Sequence, residues 1–400
     1  MNIALIEPFL SGHRAEYLRW IIQALLLRGH HLFVGSFDES LKHPAAQTSL
    51  IECGEGVSIV TEPTAEFGAS SRNLLRMSGK MLTFRTAFGR LYHKIRSRAR
   101  IDFTLLPYLD YCAYAIALAG SPFEDSPWGG IVMRPTFHYS AFGIRAPRFC
   151  TDSLKRRLFC RLLRNQYLHM LFTIDPTLHE YIARSDCEFT NRLIFLPDPT
   201  DVARSMSKQQ AKRALGIPSQ AQLLLVYGTL TGRKGITELF QAIHQPDFPS
   251  DMHILLAGRQ NEEIKTLCRT EAALRLGNSG RLHAMDRYLN KAEESTVFSA
   301  ADIVWIGYRN HYQMSGLLVQ AGKMSLPVIA CEEGLIGWLT RQHQSGMVVS
   351  VKRSDSIARG VRELYDDPDR AERYGSNGCL AYASHTIEHF SRIIVTALEG

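Results

Sequence analysis

The stretch LLLVYGTLTGRKGITELFQAIH, residues 223–244, combines a short apolar run, a glycine-rich turn and a helical pattern. An apolar run of strand length bounded by turn residues reads as a strand buried on both faces. The same alternation continues downstream, with strands at HILLAG, RLHAM, DIVWIG and PVIA separated by helices at EEIKTLCRTEAAL, KAEESTVFSAA and SGLLVQAGKM. Upstream, NIALIEP, HLFVGS, VSIV, DFTLLP, GIVMR, HMLFTI and RLIFLP repeat it, with helical segments between most of them. The first helix closes at Gly29, where a left-handed cap belongs. Strands alternating with helices predict a parallel sheet covered by helices. The segment LPDPTD, residues 196–201, interrupts the periodicity with two prolines and two aspartates, so the domain boundary is placed there. The fold class expected is α/β, two Rossmann-like β/α/β domains facing a central cleft, over residues 1–198 and 199–384.

Composition bounds the function. The chain has 400 residues, is 45% hydrophobic and carries a net charge of +7. That length suits two to three domains of about 150 residues. The most apolar stretches are broken by charge or stop near ten residues, where a bilayer span needs about 20. The first residues lack a basic start and place Glu7 inside the apolar run, unlike a secretory signal. The chain is therefore expected in the cytoplasm. The eight cysteines have no C-x-x-C spacing and read as scattered, reduced thiols.

The charge is local. Residues 70–100 hold nine Lys/Arg and no Asp/Glu, and residues 143–164 hold seven Lys/Arg and only Asp152. These segments carry +15 together, so the remainder is net −8. Between Leu74 and Ile95, apolar Leu74, Leu75, Met77, Met81, Leu82, Phe84, Phe88 and Leu91 alternate with basic residues as in an interfacial helix. An anionic membrane surface is the expected partner, at its inner face. No nucleic-acid reader motif accompanies the basic segments, so nucleic acid is not expected.

Loops after strands are where ligands bind in such sheets. In YGTLTGRKGI, residues 227–236, the amides at the helix start and the cations Arg233 and Lys234 suit a diphosphate. A lysine in such a turn has no core to stabilise, so Lys234→Ala is expected to change stability by no more than about 0.5 kcal/mol. In YRNHYQMSGLLVQAGKMSLPVIA, residues 308–330, a strand ends in a polar aromatic loop starting at Tyr308. There Ser315 can cap the next helix and Gly316 lets a ligand approach the backbone. Asp110, Arg134 and His138 follow strands of the first domain and are acceptor-side candidates, and His13 lies in the loop after the first strand. The aspartates of DDPD, residues 366–369, read as helix caps and not as a metal site.

The second half resembles the retaining glycosyltransferases of the large family 4 class with the GT-B fold. The resemblance rests on YGTLTGRKGI, ILLAGR, AMDRYL with VFSAADIVWIGY, SGLLVQAGKMSLPVIACEEGLIGWL and HQSGMVVS, in order over about residues 220–350. It implies that Lys234 binds the donor diphosphate in the turn opened by Gly228 and Thr229. The amides of Ser315 and Gly316 would face that diphosphate, with Leu317 following. Tyr288 and Leu289 would lie beside the nucleobase, and Arg259 at the pocket rim. FLSGHRAEYL is similar to the family's first loop and helix, which makes Gly12 and His13 cleft candidates. The ending HTIEHFSRIIVTALEG resembles the last helix, so residues 385–400 are expected to cross back to the first domain. The chain departs from the family at Thr229, where an arginine is usual, and at Tyr312 and Gln320, where glutamates are usual. Arg233 would replace that arginine, and Gln320 would bond a ribose hydroxyl.

The resemblance implies transfer of a sugar from a nucleotide-diphosphate donor to an acceptor hydroxyl with retention. His13, Arg233 and Lys234 are the catalytic candidates. No cofactor or metal is expected, and the acceptor is a glycan or a lipid-linked molecule. The alternatives are a GT-B-fold nucleotide-sugar epimerase or hydrolase, or a catalytically inactive nucleotide-sugar-binding subunit.

Overall fold

The computed structural model describes residues 1–10, 13–43, 46–47, 56–64 and 74–400. The chain divides into two compact units. Unit 1 comprises Met1–Phe142, Pro147–Pro197 and Ile387–Gly400, and unit 2 comprises Gly143–Ala146 and Asp198–Thr386. The division is thus not one cut at residue 198. Residues 143–146 go with unit 2 because the Arg145 carbonyl accepts from Gly334 N–H at 2.7 Å and its guanidinium pairs with Glu332.

Unit 1 contains, among the described residues, seven strands: β1 (Asn2–Ile6), β2 (His31–Phe37), β3 (Val57–Glu62), β4 (Phe103–Leu106), β5 (Trp128–Val132), β6 (Leu168–Thr173) and β7 (Leu193–Phe195). They pair in parallel in the order β3-β2-β1-β4-β5-β6-β7. Ile3 of β1 lies opposite Leu32 on one side and Phe103 on the other. The order reverses between β1 and β4, which opens a crevice beyond their carboxyl ends. The C-terminal helix Ile387–Glu399 packs on helix His13–Leu26, with Phe390 and Tyr17 rings 5.2 Å apart, and Glu399 pairs with Arg28 at 2.7 Å.

Unit 2 contains six: β8 (Leu223–Tyr227), β9 (His253–Ala257), β10 (Leu282–Met285), β11 (Ile303–Ile306), β12 (Val328–Cys331) and β13 (Gly346–Val349), in the order β10-β9-β8-β11-β12-β13. All the pairs are parallel, and the reversal falls between β8 and β11. Strands β8, β11 and β12 are buried almost throughout, as a sheet covered on both faces requires. Each buried Leu, Ile or Val there contributes about 1.5–3 kcal/mol.

Several expectations are corrected. The helix expected over EEIKTLCRTEAAL is two helices, Glu262–Cys268 and Glu271–Asn278, because the Thr270 side chain accepts from Ala273 N–H and starts a second helix. The basic helix Leu74–Arg96 turns Phe84, Phe88, Leu91 and Ile95 into the core of unit 1. That face is therefore closed to a membrane; Leu82 stays exposed, and the side chains of Leu74, Leu75 and Met77 lie outside the described set. Cys160 and Cys187 form a disulfide, with Cα atoms 5.3 Å apart, so the thiols are not all reduced. Asp367 does cap a helix, Pro368–Ala381, accepting from Arg370 N–H at 2.9 Å.

Candidate active site

Strand β8 is followed by Gly228, whose φ of +97° favours glycine. A Cβ there would lie 3.1 Å from Lys234 Nζ. The turn continues through the tight helical segment Gly232–Lys234 to Gly235, at φ +66°, where a Cβ would meet the Gly307 carbonyl at 2.0 Å. These two glycines let the turn fold back over the end of β11. Trp305 Nε1 donates to the Lys234 carbonyl at 2.8 Å and fixes the backbone.

Lys234 is buried, at 8% exposure, so it is no surface cation. Its Nζ donates to the Tyr227 carbonyl at 2.7 Å and to Tyr308 Oη at 3.0 Å, and lies 4.8 Å from the Tyr308 ring centre. An ammonium has three N–H donors, so one is left after these two bonds. Ser315 Oγ meets the same Tyr308 hydroxyl at 3.4 Å and makes no cap to helix Gly316–Lys323, correcting its expected capping role. The first N–H groups of an α-helix have no intrahelical partner, and its N-terminus carries roughly +0.5 charge. The structure thus brings Gly228, Lys234, Tyr308 and Ser315 together at the switch point between β8 and β11, with Gly316 and Leu317 opening the helix.

Around this group, Arg233 and Thr229 are exposed. Arg259, after β9, places its guanidinium 5.7 Å from the centre of the Tyr288 ring, which is 56% exposed, and Leu289 is half-buried beside it. Gln320 donates through Nε2 to Glu294 Oε1 at 2.9 Å, and Tyr227 Oη donates to the same oxygen at 2.8 Å. Glu294 and Tyr227 escaped the sequence reading. The signal was present, because Glu294 sits three and four residues before the buried Val297 and Phe298, on the core face of helix Lys291–Ala300.

In unit 1, Asp110 accepts from the amides of Met133 at 2.9 Å and Arg134 at 3.0 Å. Burial pushes its carboxyl up to about 6. Arg134 is exposed. His138, an acceptor-side candidate in the sequence, lies in the interior: it is fully buried, with Nε2 3.0 Å from Thr177 Oγ1 and 3.2 Å from Asp175 Oδ2. Gly12 lies outside the described residues, and His13 begins helix His13–Leu26.

Two parallel sheets of Rossmann type match the GT-B class of two-domain folds. Residues 207–380 match the family described as "Glycosyl transferases group 1". The lipopolysaccharide core biosynthesis glycosyltransferase LpsE of Rhizobium meliloti is 22% identical over 195 residues, covering 48% of this chain and 54% of LpsE. The chain spans about half the length of the curated relatives it matches. Among solved structures, sucrose-phosphate synthase from Thermosynechococcus elongatus superposes with a TM-score of 0.72 at 15% identity, covering 100% of this chain and 98% of that one. Anabaena HepE in complex with UDP gives 0.70 at 16% identity over 100% of both chains, and its UDP-glucose complex gives 0.67 at 14% identity over 100% of this chain and 99% of that one.

Proposed function

We propose that the chain moves a sugar from a nucleoside-diphosphate-sugar donor to a hydroxyl of a glycan or lipid-linked acceptor, with retention and without a metal ion. The observation that carries this reading is the Lys234 ammonium, held between Tyr227 and Tyr308 at the β8/β11 switch point beside the start of helix Gly316–Lys323. The UDP and UDP-glucose complexes of HepE support a donor of this class. The bond from the anomeric carbon to the diphosphate breaks with its electron pair left on the phosphate oxygen. A bond to the acceptor oxygen forms on the same face, and the acceptor proton passes to the departing phosphate. Lys234, Arg233 and the amides of Gly316 and Leu317 meet the developing charge. One preorganised donor of this kind contributes about 3–4 kcal/mol to a transition state.

The same reading places the protein in the cytoplasm, docked on the inner face of an anionic membrane. With Phe84, Phe88, Leu91 and Ile95 of helix Leu74–Arg96 buried, the docking surface is residues 148–161. Phe149 and Leu154 there are 54% and 53% exposed beside the exposed Arg148, Arg157 and Arg161.

Turnover of UDP-glucose and other nucleotide sugars, with and without glycan acceptors and with excess chelator, tests the function. Acceptor-dependent product with retained anomeric configuration, undiminished by chelator, is expected. Conversion without acceptor would indicate an epimerase or hydrolase, and binding without conversion a nucleotide-sugar-binding subunit. Activity lost to chelator and restored by magnesium or manganese would overturn metal independence.

A further inference from the structure

Unit 1 has its own switch point, between β1 and β4, and the side chains there form a built cluster. Arg14 Nη1 donates to Tyr111 Oη, and its guanidinium lies 5.7, 5.4 and 5.5 Å from the ring centres of Phe9, Tyr108 and Tyr111. The Tyr108 and Tyr111 rings are 4.9 Å apart. Among the described residues Arg14 forms no ion pair, and a neutral phenol is its only hydrogen-bond partner. Glu7, directly after β1, is fully buried. Its Oε1 accepts from Phe9 N–H at 3.1 Å, and its Oε2 has no hydrogen-bond partner among the described residues. A buried polar atom left unpaired costs about 1–3 kcal/mol, so it calls for an explanation.

We propose that this crevice binds an anionic group, phosphate or carboxylate, carried by a sugar acceptor, with Arg14 as the cation and the Tyr108 ring beside it. The proposal rests on the glycosyltransferase reading and names its acceptor class.

Charge supports it. Burial pushes the Glu7 carboxyl up to about 8, so at pH 7 it is neutral and leaves the charge of Arg14 uncompensated. Asp110, at about 6, is ionised at that pH, but it is held by the Met133 and Arg134 amides and lies in the field of the Arg134 guanidinium. The cluster of Glu7, Arg14, Asp110 and Arg134 is thus net positive. A protonated Glu7 Oε2 is itself an O–H donor without an acceptor, the same demand that Arg14 makes. The groups facing Glu7 are Arg14, Tyr111 and Cys112. Raising the pH through 8 ionises Glu7, cancels the charge of Arg14 and weakens anion binding. An aromatic ring beside a guanidinium suits a sugar that carries one charge.

Calorimetric titration with glucose 6-phosphate, glucuronate and glucose, in the absence of donor, tests this on the full chain. Wild type and Lys234→Met are expected to bind at least one of the two charged sugars more tightly than glucose, and Arg14→Gln to bind it about tenfold more weakly. Preference for glucose 6-phosphate assigns a phosphate-bearing acceptor, and preference for glucuronate a carboxylate sugar. Wild-type binding should weaken between pH 6.5 and 9, and Glu7→Gln should remove that dependence. If Arg14→Gln does not fold, Arg14→Lys, which keeps the charge, and the wild-type pH profile carry the test. Equal binding of glucose, no binding of either charged sugar, or unchanged binding in Arg14→Gln overturns the proposal. So does binding lost in Lys234→Met, which would place the anion at the diphosphate site. Failure of the glycosyltransferase reading shows separately, as absent donor turnover.

Discussion

Replacing Lys234 by methionine removes the ammonium and leaves an unbranched stem in the slot beside Gly228. Two groups then lose a donor, the Tyr227 carbonyl and the Tyr308 hydroxyl, which Nζ reaches at 2.7 and 3.0 Å. Each such loss costs about 0.5–1.5 kcal/mol, and the contact with the Tyr308 ring adds about 0.5–2. Removing a buried charge offsets part of this. A stability loss of about 1–3 kcal/mol is therefore expected, in place of the 0.5 kcal/mol that suits an exposed turn. Binding of a nucleoside diphosphate loses a charge-assisted contact worth about 1.5–3 kcal/mol, roughly a ten- to hundredfold rise in Kd. The parent nucleoside has no phosphate and should bind as before. The loss in kcat/KM should exceed the loss in binding, because the leaving group gains charge in the transition state. Calorimetric titration of both ligands, with denaturant unfolding of both proteins, decides the matter. Equal weakening of nucleoside and diphosphate would show that Lys234 only shapes the turn, and no weakening of either would place the diphosphate elsewhere.

Stability should also depend on Glu7. Its folded value of about 8 lies above the unfolded 4.5, so its contribution is fully present below 4.5 and is lost as the pH rises through 8. Glu7→Gln should flatten this decline in denaturant unfolding at pH 5, 7 and 9, and parallel curves for the two proteins would refute the assignment. Sedimentation with vesicles tests the docking surface. Phe149→Ser with Leu154→Ser should reduce binding to anionic vesicles severalfold, and wild-type binding should weaken with salt; binding indifferent to lipid charge, salt and both substitutions would refute it.

Most strands were legible because parallel sheets covered on both faces need continuous apolar runs, as in Leu223–Tyr227 and Ile303–Ile306. Strand β13 was not, since Gly346, Met347 and Val348 are only half-buried and no strand follows it in the sheet order. Apolarity also misled. The basic helix Leu74–Arg96 has the pattern of an interfacial helix, yet a core stripe has the same spacing, and only the position of the sheet decides between them. The Cys160–Cys187 pair spans 27 residues with no local signature, so only the fold brings it together.

The turn around Lys234 was legible because its chemistry is local: glycines on either side of a cation, then a helix. Its partners were not, because Tyr308 is 74 residues from Lys234. Gln320 shows what a reading by single positions misses. Taken alone, an amide in place of a glutamate is a lost negative charge. In the structure that amide donates to Glu294, 26 residues earlier, whose oxygen also accepts from the hydroxyl of Tyr227, the residue whose carbonyl holds Lys234. A carboxyl group therefore stands beside the lysine's anchor after all, supplied by helix Lys291–Ala300 and oriented by Gln320. The burial of Glu294 on the face shared with Val297 and Phe298 holds that carboxyl in place.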